Sequence, residues 1–226
     1  MPAPIPRPEK KVRPVRIQPP QLPADLQEAD LQARLLQADA DDEPLEDCLL
    51  QGETAEDFYK TEVRCCLLQG CRLSGRLDRC YFRDVVFDTC DLSNADFSGC
   101  TFRRVVFLNC KMLGVKLPEA RLEQARFAGC HLRFANLSLC VLKSVGFEGC
   151  NLDGAVLQEM RLEGAFWKDC RLTGASLFRT PLDGQDLTSD EITGIQVSLP
   201  ELKGAVVTPF QACELAGLLG LIVKSQ

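Results

Sequence analysis

From Leu77 to Val207 every fifth residue is large and apolar, twenty-seven positions without interruption. The series opens Leu77, Phe82, Phe87, Leu92, Phe97 and closes Leu187, Ile192, Val197, Leu202, Val207. A period of five matches neither the 3.6 of an α-helix nor the 2 of a two-faced strand. It marks a chain built from short repeats, which must be recognised before any helix or strand is assigned.

The other positions of the five are sorted too. Two places before each centre, from Gly75 to Ala175, twenty of twenty-one residues are Ala, Cys, Val or Gly, and Met160 is the exception. Two places after the centre lie ten of the eleven glycines of the stretch, Gly99, Gly114 and Gly154 among them, and Gly146 alone is out of phase. The remaining two positions are mostly polar. A chain that turns a corner every five residues accounts for this: centre and small residue point inward, the polar pair meets water, and glycine relaxes the backbone at the corner. Four corners close a coil of twenty residues, and coils stack about 4.8 Å apart, which predicts a rod about 30 Å long. Only its two ends carry open edges.

Folded onto a period of twenty, the sequence sorts by column. One side stacks Phe87, Phe107, Phe127, Phe147 and Trp167, and the small position before the next side stacks Cys90, Cys110, Cys130, Cys150 and Cys170. These ten residues are the predicted structural core. A helix bundle gives no reason for such sorting.

The segments Ala95-Asp96-Phe97-Ser98-Gly99, Ala135-Asn136-Leu137-Ser138-Leu139 and Cys150-Asn151-Leu152-Asp153-Gly154 resemble the pentapeptide-repeat family over more than half of the chain. The resemblance implies an all-β fold, a right-handed quadrilateral β-helix. The expected additions are a C-terminal α-helix and an N-terminal extension that is partly disordered and partly helical.

Four segments follow. Residues 1–23 hold eight prolines and the basic Lys10, Lys11, Arg13 and Arg16, a composition that cannot bury a core and reads as a disordered tail. A peptide-ligand role for Pro20 to Pro23 is the alternative. Residues 24–44 fit the pentapeptide consensus on paper and are equally a run of strong helix formers; a helix capping the first coil is expected, ended by the acidic run Asp39 to Glu43 and Pro44. Residues 45–207 form the β-helix, with irregular centres Phe58, Val63, Leu68 and Leu73 and a one-residue slip before Leu77. Small-position fidelity decays at Thr180, Gln185, Asp190 and Pro200, which predicts looser last coils. In 208–226, Thr208 reads as N-cap, Pro209 as first helical residue and Gln211 as third. Phe210, Cys213, Leu215, Leu218 and Leu219 give apolar spacing, Gly220 closes the helix, and Leu221 to Val223 read as a short strand. A helix this apolar should cover its own last coil or pair with a second copy, giving a homodimer.

The thirteen cysteines do not point to disulfides: their number is odd and no signal peptide is visible. Most occupy the small inward position, where Cys acts as a compact hydrophobe. A reducing, cytoplasmic compartment is expected. No apolar run reaches membrane-span length, so no membrane association is predicted. Within 77–207 there are fifteen Lys and Arg against seventeen Asp and Glu, a balance that argues against direct nucleic-acid binding. The single histidine, His131, is expected to face solvent, and no catalytic, cofactor or metal motif is present. The chain therefore reads as a non-enzyme with no cofactor and no metal.

Within the family, the repeat rod and its terminal helix are similar to the quinolone-resistance, gyrase-protecting branch. That resemblance implies a DNA-shaped rod, paired tail to tail, that binds DNA gyrase or topoisomerase IV and shields it from fluoroquinolones. The unbroken period leaves no room for the projecting loops of plasmid-borne members, and the outer charge is nearer neutral than in strong gyrase inhibitors. The alternative is a rigid scaffold for another cytoplasmic protein. Phe134, Leu139, Phe166 and Phe178 stand at usually polar positions, and Val86, Val106 and Leu108 are the candidate partner patch.

Overall fold

The computed structural model describes residues 15–41 and 43–223, with backbone alone for 37–41. Within it the repeats wind into a parallel β-solenoid. Five eight-residue strands stack in order, β8 (Tyr81–Asp88), β9 (Thr101–Leu108), β10 (Arg121–Ala128), β11 (Val141–Glu148) and β12 (Arg161–Lys168). Each covers two sides of a coil. The other two sides are single parallel bridges, such as Asp91↔Lys111↔His131 and Asp96↔Lys116↔Asn136.

The coil length is visible in the register. Phe82 pairs with Phe102 and Phe87 with Phe107, twenty residues apart as the columns require. Earlier coils are shorter: β5 (Glu62–Arg64) sets Val63 against Phe82, and β2 (Leu45–Glu46) sets Leu45 against Val63. The one-residue slip before Leu77 is thus a short coil. Leu73 and Leu77 both stay buried across it.

Corners use the left-handed backbone region. Gly114 and Gly154 have φ of +63° and +65°, where glycine carries no penalty. They also leave room for a neighbour: a Cβ on Gly114 would lie 2.6 Å from Asn94 Oδ1, and one on Gly154 would lie 2.7 Å from the Phe134 ring. Phe134 therefore lies down over the next coil, and Arg133 stacks 5.2 Å from its centroid.

The interior is a dry shaft. Phe87, Phe107, Phe127 and Phe147 stack with centroids 4.9, 4.6 and 4.7 Å apart and planes within 6°, and Trp167 ends the column 6.1 Å from Phe147. Phe82 and Phe102 form a second stack at 5.0 Å. Spacing equal to the coil rise is what binds these rings, because each meets its copy face to face. The cysteine column is bonded as well as packed. The thiols of Cys110, Cys130, Cys150 and Cys170 donate to the carbonyls of Phe87, Phe107, Phe127 and Phe147 at 3.3 to 3.5 Å.

Both ends differ from the sequence reading. The capping helix, α1 (Leu31–Asp41), begins seven residues later than the expected segment and runs into the acidic stretch. Leu31 and Leu35 bury against the first coil. Ahead of it, β1 (Gln27–Glu28) adds a strand to β3 (Cys48–Gln51), so the first consensus-like pentapeptide joins the stack instead of the helix. Nor are residues 15–23 a disordered tail. They lie extended along the outside of the rod, with Val15 near Gly164, Ile17 near Gly146 and Gln21 bonded to Asp84. The rest of the proline-rich, basic segment, 1–14, lies outside the described residues.

Two of the polar residues in the last coils are taken into the stack, whereas Gln185 is only half-buried and Pro200 is exposed. Thr180 Oγ1 donates to Leu157 O at 2.7 Å and accepts from Met160 N at 3.0 Å, taking over the role of the thiols. Asp190 Oδ1 accepts from Cys170 N at 2.7 Å.

Phe127 has parallel neighbours on both sides and no solvent exposure, so the stack cannot collapse into a gap there. Phe127→Ala is expected to cost about 3–5 kcal/mol in denaturant unfolding. A loss below about 1 kcal/mol would mean the ring is not locked in the column.

Candidate interaction surfaces

The C-terminal end is closed by α2 (Pro209–Ala216), followed by a 3₁₀ turn at Gly217–Leu219 and Gly220 at φ +72°. The expected capping box is present: Thr208 Oγ1 accepts from Gln211 N, and Gln211 Oε1 accepts from Thr208 N. The remaining end of Gln211 does what the sequence did not suggest. Its Nε2 donates to Leu187 O and Asp190 O at 2.7 and 2.8 Å, fastening the helix to the last coils with the helix's one buried side chain. Leu215 packs partly buried against the core.

The helix is shorter than expected, eight residues plus one turn, and Leu221 to Val223 form no strand. Their side chains are exposed. So are Phe210 (86%), Cys213, Leu218, Leu219 and Ile222 (88%). The apolar spacing therefore splits: Leu215 caps the rod, while the other large residues form an uncovered apolar end.

On the sides of the rod, Val86 and Val106 are direct register partners and Leu108 pairs with Asp88. The structure brings the three together, but Val86 and Val106 are half-buried and only Leu108 is exposed. Phe134, Leu139 and Phe178 are exposed on other sides. Phe166 lies over Gly146, where a Cβ would come 2.4 Å from its ring. That close approach explains the one glycine out of phase.

The charged residues are interleaved between coils. Arg126 grips Glu148 at 2.6 Å, Arg179 pairs with Glu159 at 3.1 Å, and Arg171 lies between Asp153 and Glu191 at 3.2 and 3.4 Å. One pair is buried. Arg104 meets Asp84 through two bonds of 2.5 and 2.6 Å, with side chains 10% and 3% exposed. Burial works to raise the Asp84 carboxyl, but the Arg104 guanidinium and the Gln21 amide outweigh it and hold it below the usual carboxylate range.

His131 is exposed within the bridge column between Lys111 and Asn151. Glu46, Asp47 and Cys65 bring ligand atoms within 4.8 Å of one another at the surface; such acidic groupings are common without an ion. A solvent-open depression of about 450 Å³ is lined by Val15, Phe166, Trp167 and Gln185. No helix among the described residues is long and apolar enough to cross a membrane.

The family model of the pentapeptide repeat region matches residues 80–157, and that of pentapeptide repeats in eight copies matches 150–188. The repeat rod of this chain is a pentapeptide-repeat solenoid. Among solved structures it is similar to a trypsin-treated form of QnrB1, a plasmid-mediated fluoroquinolone resistance protein. The identity is 20%, over 78% of this chain and 90% of that one, and the TM-score is 0.51. HetL, a pentapeptide repeat protein involved in heterocyst differentiation regulation from the cyanobacterium Nostoc, is 18% identical over 79% and 94%, with a TM-score of 0.39. A pentapeptide repeat protein of the Arabidopsis thaliana thylakoid lumen is 29% identical over 43% and 64%, with a TM-score of 0.32. No curated protein matches the chain.

Eleven of the thirteen cysteines are buried, Cys65 is half-buried and Cys213 exposed. Burial pushes the Cys140 thiol up to about 12. A thiol reagent should modify Cys213 fastest and Cys65 more slowly, and the other eleven only after denaturation; rapid titration of the column would show an open shaft. Burial also pushes the Asp190 carboxyl up to about 6 from 3.8. An acid raised in the folded state favours folding when protonated, so its contribution is present below pH 4 and lost as pH rises through 6. Asp190→Asn should therefore stabilise the protein at pH 8, by up to about 3 kcal/mol at about 1.4 kcal/mol per unit, and give no gain at pH 4. Melts at the two pH values would check it.

Proposed function

We propose that this chain is a non-enzymatic, protein-binding rod that pairs tail to tail through its C-terminal end, with DNA gyrase or topoisomerase IV as the partner. The observation that carries the pairing is the uncovered apolar end. Phe210 projects from a helix that Gln211 holds fixed to the last coils, and Leu218, Leu219 and Ile222 lie exposed in the turn and the stretch that follow it. An uncovered apolar surface at the end of a solenoid is best covered by its own copy, because a closed two-fold contact uses one patch twice. The topoisomerase reading draws its support from the resemblance to the quinolone-resistance branch and from likeness of fold to a fluoroquinolone resistance protein. It places the protein in a reducing cytoplasm, where the thirteen unpaired cysteines persist as thiols.

One observation favours a second reading, a scaffold for a different protein. Duplex DNA presents continuous negative charge, whereas acidic groups of this rod such as Glu148, Glu159 and Glu191 are answered by arginines of neighbouring coils.

The two parts separate experimentally. Light scattering should give a dimer for the intact chain and a monomer for Phe210→Asp with Ile222→Asp; an intact chain that is already monomeric removes the pairing. Gyrase supercoiling titrated with the protein, with and without ciprofloxacin, should show inhibition or protection. Neither effect at micromolar protein removes the topoisomerase and leaves the scaffold.

A further inference from the structure

The segment 15–23 crosses five coils of the rod without belonging to any of them. It runs from the Gly164 corner of β12, where Val15 sits, past Gly146 on β11 and Gln124 on β10, to Asp84 on β8. Its contacts recur at a fixed interval. Val15, Gln18 and Gln21, three residues apart, meet β12, β10 and β8, two coils apart.

That interval has a physical origin. Three residues of polyproline II span about 9.3 Å, and two coil spacings span about 9.6 Å. The two lattices are commensurate. An extended peptide with proline-fixed backbone can therefore present the same face to every second coil over the whole stack. Pro19, Pro20 and Pro23 hold φ near the value required and carry no N–H that would need a partner. Two of the remaining amides are answered by side chains of the rod. Gln18 N donates to Gln124 Oε1 at 2.7 Å, and Gln21 N donates to Asp84 Oδ1 at 2.9 Å.

The rod side of this contact is built to receive a peptide. Asp84 is held in place by the bidentate Arg104, so its acceptor is fixed before the amide arrives. Gly146 breaks the glycine phase of the repeats, and a Cβ there would meet both Phe166 and, at 3.0 Å, Ile17 Cδ1. Val15, Ile17, Pro20 and Leu22 are half-buried, while Arg16, Gln18, Pro19, Gln21 and Pro23 are exposed.

We infer that the corner face from Gly164 to Asp84 is a binding groove for an extended, proline-containing peptide, and that residues 15–23 are its ligand in cis. The ligand class is set by the segment's own pattern: half-buried apolar side chains at Val15, Ile17 and Leu22, prolines between them, and backbone N–H donors three residues apart that the rod's side chains accept. In the intact chain the groove is filled, because residues 24–26 tether the segment directly to β1 and give it a high effective concentration. A partner peptide of the same class gains the groove when the strap leaves it.

The test uses the full-length chain and a fluorescent peptide of residues 15–23. Wild type should not bind it. Ile17→Asp with Leu22→Asp, which releases the strap and leaves the rod untouched, should bind it with micromolar affinity. Adding Gly146→Leu or, separately, Gln124→Ala to that released variant should weaken binding at least tenfold, with melting of each variant confirming a folded rod. Failure of the released variant to bind at hundreds of micromolar peptide would overturn the groove. So would equal binding by wild type, or binding indifferent to both groove substitutions.

Discussion

The constraint on which everything else rests is the backbone bonding between one coil and the next. Each centre donates its amide to the following coil, as Leu92 N does to Lys111 O and Leu117 N to Asn136 O at 2.7 Å. The residue before it donates to the preceding coil, as Lys111 N does to Cys90 O at 2.9 Å. Once this ladder locks residues twenty apart, each side chain lies on the side chain one period away. Phenylalanines must then stack, thiols must share a file, and any residue that suits its column suits its neighbours. The shaft is dry because the ladder leaves no slack for water, and the coil rise happens to be the distance at which aromatic rings and extended backbones pack well.

A structure held only by nearest-neighbour contacts is weakest where the neighbours stop. The chain deals with each end differently. At the start, α1 lays Leu31 and Leu35 over the first coil. At the finish, Gln211 donates its side-chain amide to the carbonyls of Leu187 and Asp190 at the open end of the stack, while Phe210 of α2 stays outside. The strap acts in another direction. By touching β8, β10, β11 and β12 it links coils that otherwise communicate only through those between them, so the outer face is tied along the axis as well as around it.

Departures from the repeat carry as much information as the repeat. Thr180 and Asp190 break the small-residue rule, yet each takes up a bond that the thiol column makes elsewhere; polarity in that file is tolerated where geometry supplies a partner. Gly146 breaks the glycine phase because Phe166 and Ile17 need its space. Both anomalies were visible as anomalies in the sequence. Their reasons were not, since each depends on a residue a coil away or, for Ile17, more than a hundred residues away.

What the sequence by itself determined is the solenoid: the period, the columns, the corner glycines, the short coil before Leu77, the capping box at Thr208 and Gln211. These are local or strictly periodic, so the spacing of residue types contains them. Tertiary structure alone decided where the non-repeating parts go. Whether Leu26 and Gln27 continue the stack or start a helix depends on an open edge at Cys48, and the fate of residues 15–23 depends on a groove assembled from five coils. Nothing local to a proline-rich stretch records the rise of the rod it lies on. The match between three extended residues and two coils comes into being only when both are folded.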